Sequence, residues 1–207
     1  GDDFLFVDSP DMNESAERIV ELYADEVAEH GLDNVVLLSP FRQRTETGVN
    51  ALNERLQAKI NPPERGKEQV EIGKKIFREG DKVMQTQNSS LINNGDVGYI
   101  QRIQVFGSSV SVEIDFGDGR TVCYDVEDMK KVDLGYACTI HKSQGSEYET
   151  VIISIQTAYF KMLTRPLIYT AITRGKNKVI IVGEHRAKCM AIKKTDVEKR
   201  GTCLASK

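Results

Sequence analysis

The spacing of apolar and polar positions divides the 207-residue chain into two rhythms. The first opens with a strand-like Phe4-Leu5-Phe6-Val7. From Asn13 to His30 the apolar Ala16, Ile19, Val20, Tyr23 and Val27 then recur at helical spacing, with acids near the start and Gly31 at the end. Val35 to Leu38 is a short continuous apolar run, which predicts a strand covered on both faces, and Ser39-Pro40 stops it. Val49, Leu52, Leu56 and Ile60 stripe a second helix, terminated by Asn61-Pro62-Pro63. From about Ile72 to Val132 the runs become short and alternating, punctuated by Asn93-Asn94-Gly95-Asp96, Gly107-Ser108 and Gly117-Asp118-Gly119. Val110, Val112, Ile114 and Phe116 alternate strictly, so this stretch predicts a small antiparallel barrel or sheet.

After Leu134 the first rhythm resumes. Tyr136 to Ile140 and Val151 to Ile155 predict strands, and Val179 to Val182 another buried strand. Pro166 to Arg174 predicts a helix, with Thr164 and Pro166 as start signals. Beyond a helix start at His185, the last residues are Lys-rich and poorly patterned. The economical reading is an α/β domain with a parallel sheet, interrupted by an inserted β module. The opening Gly1-Asp2-Asp3 lacks a methionine and meets a strand almost at once, so a piece of a longer protein is expected.

Composition narrows the function classes. An apolar content of 40% suffices for one core, or one core and a small satellite. No apolar run approaches the roughly 18 to 20 residues of a membrane span, and no secretion signal opens the chain, so a cytoplasmic protein without a membrane partner is expected. Cys123, Cys138, Cys189 and Cys203 form no C-x-x-C pair, which indicates reduced structural thiols rather than zinc or a disulfide framework. A net charge of -3 argues against a protein that simply coats nucleic acid. The acids are concentrated, however: residues 1–33 hold eleven against one base, Arg18, and the body behind them is mildly basic.

Three segments carry candidate chemistry. Thr139-Ile140-His141-Lys142-Ser143-Gln144-Gly145-Ser146-Glu147-Tyr148 lies between two predicted buried strands, where open α/β sheets place ligand loops. Its small and hydroxyl residues let backbone approach a phosphate, Lys142 adds a charge and Glu147 an acceptor for a sugar hydroxyl. In Leu167-Ile168-Tyr169-Thr170-Ala171-Ile172-Thr173-Arg174-Gly175-Lys176, Leu167, Ile168, Ala171 and Ile172 are expected to bury one helix side, leaving Thr170, Thr173 and Arg174 polar. Arg174 there can cap the helix through its dipole or stabilise a transferring phosphoryl group. Ser39-Pro40-Phe41-Arg42-Gln43-Arg44 combines cations with an aromatic, which suits a single nucleic-acid strand as well as a solvated loop. There is no G-x-x-x-x-G-K-[ST] loop to hold nucleotide phosphates and magnesium, and no cysteine nucleophile or acidic metal cluster is indicated.

In their order, these segments resemble the second motor domain of superfamily 1 helicases, most closely the RecD-like group that includes the exonuclease V alpha subunit. T-I-H-K-S-Q-G-S-E-Y resembles helicase motif V and L-I-Y-T-A-I-T-R-G-K motif VI. Val35 to Gln57 resembles the strand and helix that open this domain, while G-D-K-V-M-Q-T-Q-N and N-G-D-V-G-Y-I resemble the group's SH3-like barrel. The resemblance implies a RecA-like fold of the P-loop NTPase type without its P-loop, at residues 1–68 and 134–207, with an SH3-like barrel at 69–133. It implies that Arg174 reaches the ATP γ-phosphate, with Gln144, Gly145 and Glu147 lining the nucleotide turn. Ser39, Pro40, Thr139 and His141 are implied to face single-stranded DNA, and Phe41, Arg42, Lys142, Ser143 and Thr170 join them as candidate contacts. ATP and Mg2+ are expected only in the full-length motor, with none held by this chain alone. The expected partners are single-stranded DNA, the N-terminal motor domain of the same protein, and further recombination or repair subunits. Two other readings stay open on sequence: a non-motor adaptor that binds DNA or protein through its barrel, and a degenerate RecA-like structural subunit.

Overall fold

The computed structural model describes residues 3–42, 45–159, 161 and 163–189; Gln43, Arg44 and the Lys-rich tail lie outside the described residues. In chain order the strands are β1 (Phe4–Asp8), β2 (Val35–Ser39), β3 (Gln69–Ile72), β4 (Lys75–Arg78), β5 (Lys82–Gln85), β6 (Val97–Phe106), β7 (Ser109–Asp115), β8 (Thr121–Tyr124), β9 (Val132–Leu134), β10 (Ala137–Thr139), β11 (Tyr148–Ile155) and β12 (Gly175–Gly183). The helices are α1 (Met12–His30), α2 (Val49–Ile60), α3 (Val126–Met129) and α4 (Arg165–Ile172). They form two compact units, Gly1–Leu52 with Ala137–Lys207, and Asn53–Tyr136.

The first unit is built on a five-stranded sheet of order β1-β12-β11-β2-β10. All its ladders are parallel. The runs expected to be covered on both faces are so: β2 is buried throughout, as are Val151 to Ile155 and Val179 to Val182. Helix α1 starts at Asp11, whose carboxylate accepts from Asn13 N and Glu14 N, and it buries Ala16, Ile19 and Tyr23 completely. Gly31, at φ +84°, ends it by donating to Val27 O. A parallel sheet has two chemically distinct edges: here the carboxyl edge carries Ser39, Thr139, Ile155 and Gly183, and the amino edge Val35, Tyr148 and Gly175. At Gly183, φ is +151° and a Cβ would fall 1.6 Å from Ile155 O, so glycine alone fits where β12 passes β11.

The second unit holds a five-stranded antiparallel sheet, β8-β7-β6-β5-β9, and a two-stranded ribbon, β3-β4. No ladder joins β8 to β9 among the described residues, so hydrogen bonding alone does not close this sheet into a barrel. The β7–β8 turn runs through Gly117, Asp118 and Gly119, all at positive φ, with Asp118 at +54°. Aspartate tolerates that region through its short polar side chain, whereas a β-branched residue does not. Asp118→Val should therefore cost about 1–2 kcal/mol, measurable as a lowered urea midpoint with unchanged slope.

The division by contacts falls earlier than the expected boundary at residue 68, because Asn53 to Asn61 are tied to the β unit by hydrogen bonds. Asn53 Nδ2 donates to Leu134 O at 3.0 Å. Asp81, wholly buried, receives four donors: Gln57 Nε2 at 2.6 Å and Arg78 N at 2.7 Å on Oδ2, Asn61 Nδ2 at 2.8 Å and Tyr136 OH at 2.9 Å on Oδ1. The large majority of buried polar groups in folded proteins are satisfied in this way. No helix of the described residues is long and apolar enough to cross a membrane.

Candidate functional site

Pairing at the amino edge of the parallel sheet joins two segments distant in sequence. Tyr148 opens β11 opposite Gly175, which opens β12, and Tyr148 N donates to Arg174 O at 2.9 Å. The residues that precede the two strands, Gly145 to Glu147 and Arg174, are thereby held side by side. Gly145 turns the chain at φ +88°, with no atom within 4 Å of where a Cβ would stand, so its backbone is open to approach. Burial pushes the Tyr148 phenol up to about 12, which keeps it a neutral donor.

Arg174 follows the C-cap of α4, Thr173, and its own N–H donates to Ala171 O at 3.2 Å. The guanidinium turns to the neighbouring loop: Nη1 lies 3.4 Å from Ser146 O and Nη2 3.5 Å from Thr173 Oγ1. Both distances are long for charge-assisted bonds. Nε is buried with no hydrogen-bond partner among the described residues. The donors of this side chain are thus only weakly engaged, an arrangement suited to receiving an anion. Lys176 Nζ lies 3.5 Å from Glu147 Oε2 in an exposed pair, which solvent screening makes easy to break.

The opposite, carboxyl edge gathers the residues expected to meet a nucleic-acid strand. Thr139 and Ser39 are register partners at the ends of β10 and β2. The loops around Gly145 and Arg174 meet at the amino edge, whereas the segment 140–147 crosses to it from the carboxyl end of β10, so the Arg174 region and the Ser39–Thr139 region lie at opposite ends of the same strands. Three of the candidates are enclosed. Ser39, Pro40 and Ser143 are buried, because Ser39 Oγ donates to Thr47 O and Ser143 Oγ to Ile140 O. Their side chains shape the loops and present no group to solvent. Phe41 is half-buried and Arg42 exposed, as are Lys142 and His141 respectively.

A pocket of about 420 Å³ lies within this unit, lined by His141 and Gln144 from the crossing segment and by Thr164, Pro166, Leu167 and Thr170 of α4 and its cap. It unites three predicted residues, His141, Gln144 and Thr170, and adds three that sequence reasoning missed. Thr164 and Pro166 were legible as a helix start, and Thr164 does cap α4, accepting from Leu167 N. Nothing in their spacing signals that they also face a pocket. The same opening explains why Leu167 is only half-buried and Thr170 half-exposed. Ile168 and Ile172 are likewise half-buried, and Ala171 alone of the expected apolar side is fully covered. Among the described residues no three His, Cys, Asp or Glu side chains are grouped to hold a metal.

Comparison with known proteins matches both units. Residues 52–116 match the model of the ATP-dependent RecD-like DNA helicase SH3 domain, and residues 134–182 that of the UvrD-like helicase C-terminal domain. The ATP-dependent RecD2 DNA helicase of Deinococcus radiodurans is 36% identical over 155 residues, 74% of this chain and 20% of that protein. The RecBCD enzyme subunit RecD of Mycobacterium tuberculosis is 36% identical over 114 residues, 53% of this chain and 18% of that one. The chain therefore spans about a fifth of the length of these relatives. Among solved structures, a Bacteroides Pif1 helicase aligns loosely, over 84% of this chain and 49% of that one, at TM-score 0.47 and 16% identity. With its RecD-like SH3 segment followed by a UvrD-like C-terminal segment on a parallel α/β sheet, the chain belongs to the RecD-like DNA helicases and carries their SH3 and C-terminal domain segments.

Proposed function

We propose that the chain is the second half of an ATP-driven motor that translocates on single-stranded DNA, and that it supplies an arginine finger to an ATP site completed by an N-terminal motor domain. One observation carries this reading: Arg174, with a buried unpartnered Nε and two weakly held Nη atoms, stands beside the open Gly145 turn and Glu147. An anion entering there gains donors at little cost in existing bonds, which is what charge stabilisation of a phosphoryl group in flight requires. Glu147 would exchange its exposed Lys176 partner for a ribose hydroxyl. Mg2+ and the phosphate-binding loop belong to the other half, and residues 1–207 contain no G-x-x-x-x-G-K-[ST] sequence to replace it.

The carboxyl edge, with Thr139, His141, Phe41, Arg42 and Lys142, would form part of the DNA track. Separating track and nucleotide turn at opposite ends of β2, β10, β11 and β12 suits a motor, because the segment 140–147 touches both and can transmit closure of one to the other. The RecA-like part at residues 1–68 and 134–207 and the SH3-like part at 69–133 remain the proposed functional domains, and group membership favours 5′ to 3′ movement and partnership with recombination or repair subunits. ATP hydrolysis by the purified chain, with saturating single-stranded DNA, should stay at buffer background. DNA-stimulated turnover by this chain alone would refute the divided site.

A further inference from the structure

The pocket beside α4 has a chemistry different from that of either sheet edge. Although 29% of the chain is charged, no Lys, Arg, Asp or Glu lines it among the described residues. It is therefore poorly suited to phosphate, whose binding needs cations or convergent N–H groups. Pro166 and Leu167 supply an apolar wall, while His141, Gln144, Thr164 and Thr170 supply neutral polar groups. Thr170 Oγ1 spends its proton on Pro166 O at 2.8 Å, and so offers only lone pairs to an occupant. His141 and Gln144 are exposed, and their ring and amide make no hydrogen bond among the described residues. A volume of about 420 Å³ lies in the ordinary range of small-molecule sites.

An apolar wall, a ring that can stack and an amide with both donor and acceptor match a flat, neutral, hydrogen-bonding ligand, and a nucleobase is such a ligand. The location agrees, since His141 follows directly on the carboxyl end of β10, the edge assigned to the DNA track. We propose that this pocket is a base-binding subsite, which takes one base turned out of a single strand whose phosphates lie along Thr139 and Arg42. The inference rests on the single-strand reading above. It moves Gln144 from the nucleotide turn to the nucleic-acid site, and adds Thr164, Pro166 and Leu167 to that site.

Fluorescence anisotropy of the 207-residue chain tests it, using two labelled oligonucleotides of equal length and phosphate number, one of thymidines and one wholly abasic. The base-bearing strand should bind roughly tenfold more tightly, the scale of one well-held base. His141→Ala with Gln144→Ala alters two exposed side chains, and circular dichroism should show the fold intact. This variant should erase the difference between the two strands, whatever loss of track contact at His141 it brings to both equally. Equal binding of the two strands by the parent chain, or a preference that survives the double variant, overturns the pocket while leaving the DNA track standing. Failure to bind either strand overturns the track and the pocket together.

Discussion

Replacing Arg174 by alanine in the full-length parent should lower DNA-stimulated ATP turnover by about three orders of magnitude, the range of a lost arginine finger. At 1.36 kcal/mol per tenfold this amounts to about 4 kcal/mol of transition-state stabilisation. The affinity for single-stranded DNA should be unchanged, because the guanidinium stands at the amino edge of the sheet and the candidate DNA residues at the other. A capping role predicts otherwise. The guanidinium contacts Ser146 O and Thr173 Oγ1 rather than the last carbonyls of α4, so its removal should scarcely shift the melting temperature. Steady-state ATPase and DNA titrations on one preparation distinguish the two roles, and near-normal turnover would return Arg174 to a structural part.

The largest stability effect is expected at Asp81. Each of its oxygens accepts two donors in a fully buried setting, so asparagine cannot replace it: the amide would turn its own N–H groups toward two of the four. Asp81→Asn should cost about 3 kcal/mol, the scale of stranding buried donors. The thermal transition of the unit that holds it should fall by roughly 10–20 °C. The four donors favour the ionised carboxyl, yet burial is the larger influence and raises it above its ordinary 3.8. The folded state thus binds this proton more tightly than the unfolded chain does. The resulting contribution to stability is fully present below pH 3.8 and is lost as pH rises through the raised folded value. Asp81→Asn, which does not titrate, should erase that component from a plot of stability against pH.

What the sequence disclosed follows from what is local. Continuous apolar runs at Val35, Val151 and Val179 became strands covered on both faces because such runs have few other folded solutions. Thr164 and Gly31 acted as helix punctuation because capping depends on neighbours a few residues away. Asp81 was invisible for the opposite reason: Gly80-Asp81-Lys82 has the composition of a surface turn, and three of its four donors come from 20, 24 and 55 positions away. The short helix α3 was hidden inside a stretch read as strands, since four residues are too few to show a period. At the site, the proximity of Arg174 to the Gly145 turn was foreseeable from motif order. The crossing of 140–147 from one sheet edge to the other was not, because register between β10, β2 and β11 sets it. The half-exposed side of α4 had the same cause, as apolar spacing does not reveal that a pocket takes the place of a neighbour.

As the proposed arginine finger, Arg174 would stabilise charge that exists only while the phosphoryl group is in transit. Trapping of ADP with aluminium fluoride by the full-length parent on single-stranded DNA measures that directly, compared between the parent and its Arg174→Ala variant. In the variant, ADP affinity should be unaltered and the trapped complex lost. Equal trapping by both proteins would contradict it.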